Sequence, residues 1–247
     1  MESGVEYVLF IYDSTNSFIL FCSKVFCRGN YSWRSKRMIC RREYRGCLQT
    51  KVDEEKLKQA LVKTKNEVEN FMKAGRLLQV SLYRFQNMCF LYCEAEGDFP
   101  QPENFLVELS PFLEDWPEEE EKRKWAYMYP IYYHSIPIDK EEWRSERSGK
   151  KQVGRIAFLK KEKWDSYVYW HKALVEEGLL CGDQYQFISL HENILFSYFE
   201  EPKKMVNIRR TSESSVIIDG WLSSDPKSHF CRNKTGGKNF CIMEQLL

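Results

Sequence analysis

An octapeptide of this chain occurs twice in altered form, and that echo governs what can be inferred about its fold. N-M-C-F-L-Y-C-E (87–94) returns as N-I-L-F-S-Y-F-E (193–200), so that Asn87, Phe90, Tyr92 and Glu94 match Asn193, Phe196, Tyr198 and Glu200. Each copy is preceded by a helical stretch, and each stretch by a short strand-like run. Arg45 opens G-C-L-Q-T in the first copy, and R-I-A-F-L-K-K (155–161) stands in its place in the second. A chain of 247 residues has room for two such units of about 100 residues each.

In the first copy, Cys47 to Val52 reads as a strand. Asp53 caps a helix with Glu54 and Glu55 in its first turn, where carboxylates favour the positive end of the helix dipole. Leu57, Leu61, Thr64, Val68, Phe71 and Met72 then recur at helical spacing as one apolar stripe, which Gly75 ends. Leu78 to Tyr83 and Met88 to Ala95 form a hairpin. A proline-punctuated stretch follows, with a short helix predicted near Phe105 to Leu113, and the acidic run Glu118 to Glu121 reads as a solvated helical face.

The charged segment Asp139 to Gln152, broken by Gly149, reads as a linker with a boundary near residue 148. The second copy repeats the order: strand Arg155 to Lys160, helix Glu162 to Glu177, strands Gln184 to Leu190 and Ile194 to Glu200. Met205 to Ile218 has room for a short helix, and F-C-I-M-E-Q-L-L reads as a final strand. Strand, helix, hairpin, helix, strand is the ferredoxin-like plan. The expected class is α+β, two tandem ferredoxin-like units with antiparallel sheets. The chain divides into an N-terminal extension (1–43), a degenerate unit (44–148) and a second unit that carries the site (149–247).

The net charge of +1 gives no general electrostatic reason to bind nucleic acid or a membrane, so a small neutral ligand or a protein is the expected partner. Nine cysteines without a C-x-x-C pair favour a reducing cytoplasm over a disulfide framework, and metal ligation is not expected. Near the N-terminus, Val5 to Tyr12 and Phe18 to Phe26 are apolar runs too short and interrupted to span a bilayer. Arg28, Arg34, Lys36, Arg37, Arg41, Arg42 and Arg45 form a basic run with Tyr31 and Trp33 among them. It reads as a solvated appendage, or else as an anion-binding patch.

On the helix of the second unit, Trp164, Tyr167, Val168, His171, Leu174 and Val175 form one stripe, so Tyr167 and His171 share a face directed at the sheet. The first unit has Leu57 and Leu61 at these places, so a site here is single. An imidazole with an ordinary pKa of about 6.5 can give and take protons at neutral pH. Interconverting sugar anomers needs that exchange: one proton to the ring oxygen and one from the anomeric hydroxyl.

These segments, R-I-A-F-L-K-K through Y-V-Y-W-H and then Q-F-I-S-L-H-E-N-I-L-F-S-Y-F-E, resemble the L-rhamnose mutarotases, small dimeric α/β-barrel proteins, over residues 153–247. The resemblance implies a carbohydrate isomerase of rhamnose metabolism that works without cofactor or metal. It implies His171 as general acid, with Tyr167 beside it, and Tyr185 and Trp221 as contacts to the sugar. Where that family has a Trp-Trp pair, this chain has Trp221-Leu222. It further implies that the two units pair within one chain, with a homodimer as a further possibility.

Two alternatives stand beside this reading. One is a non-catalytic small-ligand-binding or structural protein of the same barrel type, since a lone His on an apolar stripe is often a satisfied core residue. The other is a haem-handling barrel with His171 as axial ligand. His134 and His191 read as surface residues, and His229 with Cys231 lacks the two further ligands a zinc site needs. Tyr127, Tyr129, Tyr132 and Tyr133 with Trp125 read as packing between units. No nucleophile elbow, Gly-rich phosphate loop or H-E-x-x-H supports hydrolase, nucleotide or zincin chemistry.

Overall fold

In a computed structural model, the described residues are 39–116, 122–137, 139–145, 147–207 and 215–247. The apolar runs of the N-terminus, most of the basic run and the acidic run at 118–121 lie outside them. The described chain begins with strand β1 (Ile39–Cys47), helix α1 (Glu54–Lys73), strands β2 (Gln79–Phe85) and β3 (Met88–Glu96) and strand β4 (Ala126–Tyr133). A short helix α2 (Lys140–Ser145) leads to β5 (Lys151–Phe158), α3 (Trp164–Glu177), β6 (Cys181–Asp183), β7 (Phe187–His191) and β8 (Ile194–Glu201). The chain ends through β9 (Met205–Asn207), α4 (Val216–Ser223), β10 (Cys241–Ile242) and β11 (Glu244–Gln245).

Nine of these strands form one antiparallel sheet in the order β10-β5-β8-β7-β4-β1-β3-β2-β11. The order β4-β1-β3-β2 in one half returns as β10-β5-β8-β7 in the other. Each half ends in a strand that changes partners midway. In β4, Ala126–Met128 pairs with β1, whereas Tyr129–Tyr133 pairs with β7. Likewise β10 pairs with β5 and β11 with β2, with only Met243 between them. This second crossing brings the two ends of the sheet together, so the architecture is an α+β, nearly closed barrel.

Inside the barrel, Tyr83, Phe90, Tyr92 and Met128 of one half pack against Ile156, Phe187, Phe196 and Tyr198 of the other. Outside it, α1 covers the first half through Leu57 and Val68, and α3 covers the second through Tyr167 and Leu174. The two halves differ in how they fill the interior. A Cβ at Gly154 would stand 2.6 Å from the Tyr83 ring, so the strand can pass that tyrosine only as glycine. The register places Glu43 and Ser189 at the corresponding positions of the other half. A large and a small side chain have exchanged sides.

Several expectations are corrected. The first strand begins at Ile39 and ends where Cys47 to Val52 was expected to start, so Ile39 to Glu43 belong to the sheet rather than to an extension. Arg41 and Glu43 point into the barrel, and their charges disguise the strand. By register Arg45 corresponds to Ile156, one place from the sequence match with Arg155, because both pair opposite the repeated phenylalanine. The helix expected near Phe105 to Leu113 is only two 3-10 turns, at Pro102–Asn104 and Ser110–Phe112, as Pro111 cannot continue a helix. The charged linker contains α2, whose Trp143 is buried. His134 is buried too, with its Nε2 2.8 Å from the Val206 carbonyl.

Candidate functional site

Helix α3 carries the predicted residues to the helix–sheet interface. Its end is set by Gly178, at φ 67°, a left-handed conformation that glycine adopts without a Cβ clash. Tyr167 and His171 are both buried, their rings stacked with centroids 3.8 Å apart. Trp221 of α4 stands edge-on to both, 4.9 Å from His171 and 5.6 Å from Tyr167. Three of the four predicted residues therefore meet. Tyr185 does not join them: it belongs to a separate cluster with Ile39, Leu78 and Trp143, and its hydroxyl donates to the Trp143 carbonyl over 3.3 Å.

The His171 Nδ1 lies 2.9 Å from the Tyr167 carbonyl, and a carbonyl only accepts, so Nδ1 carries the proton. Burial pushes the His171 pKa down to about 4, outweighing that hydrogen bond, and the nearby His229 lowers it further. Burial thus favours the uncharged ring, whose single proton is held on the Tyr167 carbonyl. The folded pKa lies below the unfolded one, so unfolding takes up a proton between them. Stability is complete above pH 6.5 and falls by about 3 kcal/mol as the pH drops to 4. Urea midpoints at pH 7 and pH 4.5 should show this loss in the wild type and much less of it in His171→Gln. Parallel losses in the two proteins would contradict the assignment.

A haem iron could use the free Nε2 of this tautomer, but the macrocycle also needs an open apolar slot beside the ring. Tyr167 and Trp221 already occupy the ring's surroundings at contact distance, and Tyr132 lies 5.9 Å away. The residues as placed do not fit the group. Among the described residues no cluster of His, Cys, Asp and Glu could hold a metal ion. Also among them, no helix is long and apolar enough to cross a membrane.

The more elaborate chemistry lies inside the barrel, at residues that the sequence echo had marked only as a repeat. Alternation along β3 and β8 turns Phe90, Tyr92 and Glu94, and Phe196, Tyr198 and Glu200, to the interior. Tyr92 stacks on Tyr198 at 3.6 Å with an interplanar angle of 4°. Each tyrosine hydroxyl donates to the glutamate two residues on, Tyr92 to Glu94 and Tyr198 to Glu200. Arg147, from the expected linker, joins the halves: Nη1 donates to Glu94 Oε2 over 2.5 Å, and Nη2 donates to Glu200 Oε1 and to the Tyr198 hydroxyl. Trp143 Nε1 adds a bond to Glu94 over 3.2 Å.

Arg41 completes the network, with Nε donating to the Tyr92 hydroxyl over 2.8 Å and Nη2 to the Tyr185 carbonyl. Burial pushes the Glu94 carboxyl up, but Arg147 and Arg41 more than offset it and hold its pKa below the usual value. Glu43 is the opposite case. Burial drives its pKa well above normal against the weaker pull of Ser189 and Arg41, which favours the protonated acid. The described part of the basic run is thus not an anion patch. Arg41 is interior, Arg42 lies over Phe99 at 4.6 Å, and Arg45 pairs with Glu192 at 2.7 Å.

No protein-family model matches the chain, and no curated protein does. Among solved structures it is similar to a provisionally assigned monooxygenase from Fusobacterium nucleatum subsp. nucleatum ATCC 25586. The identity there is 13%, over 86% of this chain and 94% of that one, with a TM-score of 0.41. A second provisionally assigned monooxygenase, from Lactobacillus acidophilus NCFM, gives 4% identity over 85% and 95%, with a TM-score of 0.42. A mutant chlorite dismutase from Candidatus Nitrospira defluvii gives 11% over 83% and 92%, at 0.33. The chemistry of the site is decided by its own residues.

Proposed function

We propose that this chain is a tandem pair of ferredoxin-like units forming, within one polypeptide, the barrel that two subunits form in dimeric α/β-barrel proteins. We propose further that it acts as a binding or scaffold protein, not as an acid–base catalyst at His171. The repeated strand order and the meeting of Tyr92 with Tyr198 support the first statement. The observation that carries the second is the setting of His171: buried, with Nδ1 held on the Tyr167 carbonyl and the ring stacked against Tyr167.

The mutarotase reading keeps one observation in its favour, the convergence of Tyr167, His171 and Trp221. Magnetisation exchange between anomers, measured by NMR for L-rhamnose and a panel of aldoses and deoxy sugars, separates the two. Wild type and His171→Ala should both leave exchange at the buffer rate. An enhancement present in the wild type and lost in His171→Ala would restore the mutarotase and overturn the scaffold reading.

A further inference from the structure

Beside the His171 cluster lies a pair of side chains that stand 63 residues apart in the chain. Ser166 Oγ is 3.0 Å from His229 Nε2. His229 is fully buried, and its Nδ1 lies 3.2 Å from the carbonyl oxygen of Asp225. That carbonyl can only accept, so the Nδ1 bears the proton and Nε2 presents its lone pair to the serine hydroxyl. Asp225 supplies this carbonyl from a left-handed backbone conformation, φ 52°, which is uncommon for a residue with a side chain. Trp221, with its centroid 5.1 Å away, walls the imidazole.

Ser166 itself is half-buried and sits in the first turn of the fourteen-residue α3, where the helix dipole favours negative charge. A half-buried hydroxyl, a buried base aimed at it and a third group fixing the base's tautomer are the parts of an activated nucleophile.

We propose that Ser166 and His229 form a nucleophile–base pair that reacts with small, activated carboxylic esters. Ser166 Oγ forms a bond to the acyl carbon while His229 Nε2 takes the hydroxyl proton. The C–O bond to the leaving group then breaks, and His229 returns the proton to the departing alkoxide. Water repeats the sequence on the acyl-serine and releases the acid, so no oxidant or cofactor is consumed. This goes beyond the reading of His171 and does not depend on it, because His171 takes no part in these steps.

The test uses a fluorophosphonate label and p-nitrophenyl acetate on the full chain. Peptide mass spectrometry should find the label on Ser166 of the wild type, and Ser166→Ala should abolish both labelling and ester turnover. His229→Gln should slow labelling by about 10² or more, the usual contribution of a positioned base. The site of labelling in the wild type is read before any variant is made, so a variant that fails to fold leaves the result decided. A wild-type chain whose Ser166 stays unlabelled, or whose turnover survives Ser166→Ala, overturns the proposal.

Discussion

Arg147→Ala should destabilise the protein by about 3–5 kcal/mol, the usual cost of removing one partner from a buried ion pair. The arginine is the shared cation of Glu94 and Glu200, both fully buried, and its loss strands two carboxylates in the barrel interior at once. For a chain of this size each kcal/mol moves the melting temperature by roughly 2–4 °C, so a fall on the order of 10 °C is expected. Adding Glu200→Gln to Arg147→Ala should recover part of the loss by removing one stranded charge. A melting temperature within about 3 °C of wild type for Arg147→Ala, a change of only about 1 kcal/mol, would mean that water reaches the carboxylates and that the arginine does not join the halves.

The second large effect is expected from cutting the chain. A fragment of residues 150–247 keeps β5, β7 and β8 but loses Tyr83, Phe90, Tyr92 and Met128, which cover Ile156, Phe187, Phe196 and Tyr198. It also leaves Glu200 without Arg147. Exposing one large apolar side chain costs about 1.5–3 kcal/mol, so four or five of them approach or exceed the roughly 5–15 kcal/mol that holds a domain folded. The fragment should aggregate or self-associate, and co-expression with residues 39–148 should return it to solution. Size-exclusion chromatography with light scattering checks this. A monomeric fragment with a cooperative melt would show that the second half has a sufficient core of its own.

How much of this was legible beforehand depended on which face of each element carried the signal. Helices α1 and α3 and strands β2, β3 and β8 lie close to where the sequence pattern puts them, because each helix turns one apolar stripe to a core and these strands, packed on both faces, are nearly continuous apolar runs. Strand β1 was displaced because its interior residues, Arg41 and Glu43, are charged, and a charged residue facing a barrel interior looks like one facing water. The same blindness hid Arg147, which sits in a stretch whose composition suggests a linker. Tyr167 and His171 share one face of α3, as helical spacing indicates, and Trp221, which only the family resemblance singles out, lies against both rings. The separation of Tyr185 turned on where β7 begins: Phe187 is its first residue, which leaves Tyr185 outside the strand.

The crossing at Met243 has a consequence for how the molecule reaches its native state. The strand pairings on either side of it join Cys241 to Ile156 and Gln245 to Tyr83, contacts between residues far apart along the polypeptide. Ordering such distant partners carries a large loop-closure entropy before any contact rewards it, which makes this step slow compared with forming α1 or the β2–β3 hairpin. During synthesis the ring stays open until residues 241–245, which follow β2 and β5 in the chain, have left the ribosome. Until then β2 and β5 both present unpaired edges, a template on which a second nascent chain can add its own strand. The segment that completes the barrel is therefore also the one whose late arrival exposes the chain to aggregation.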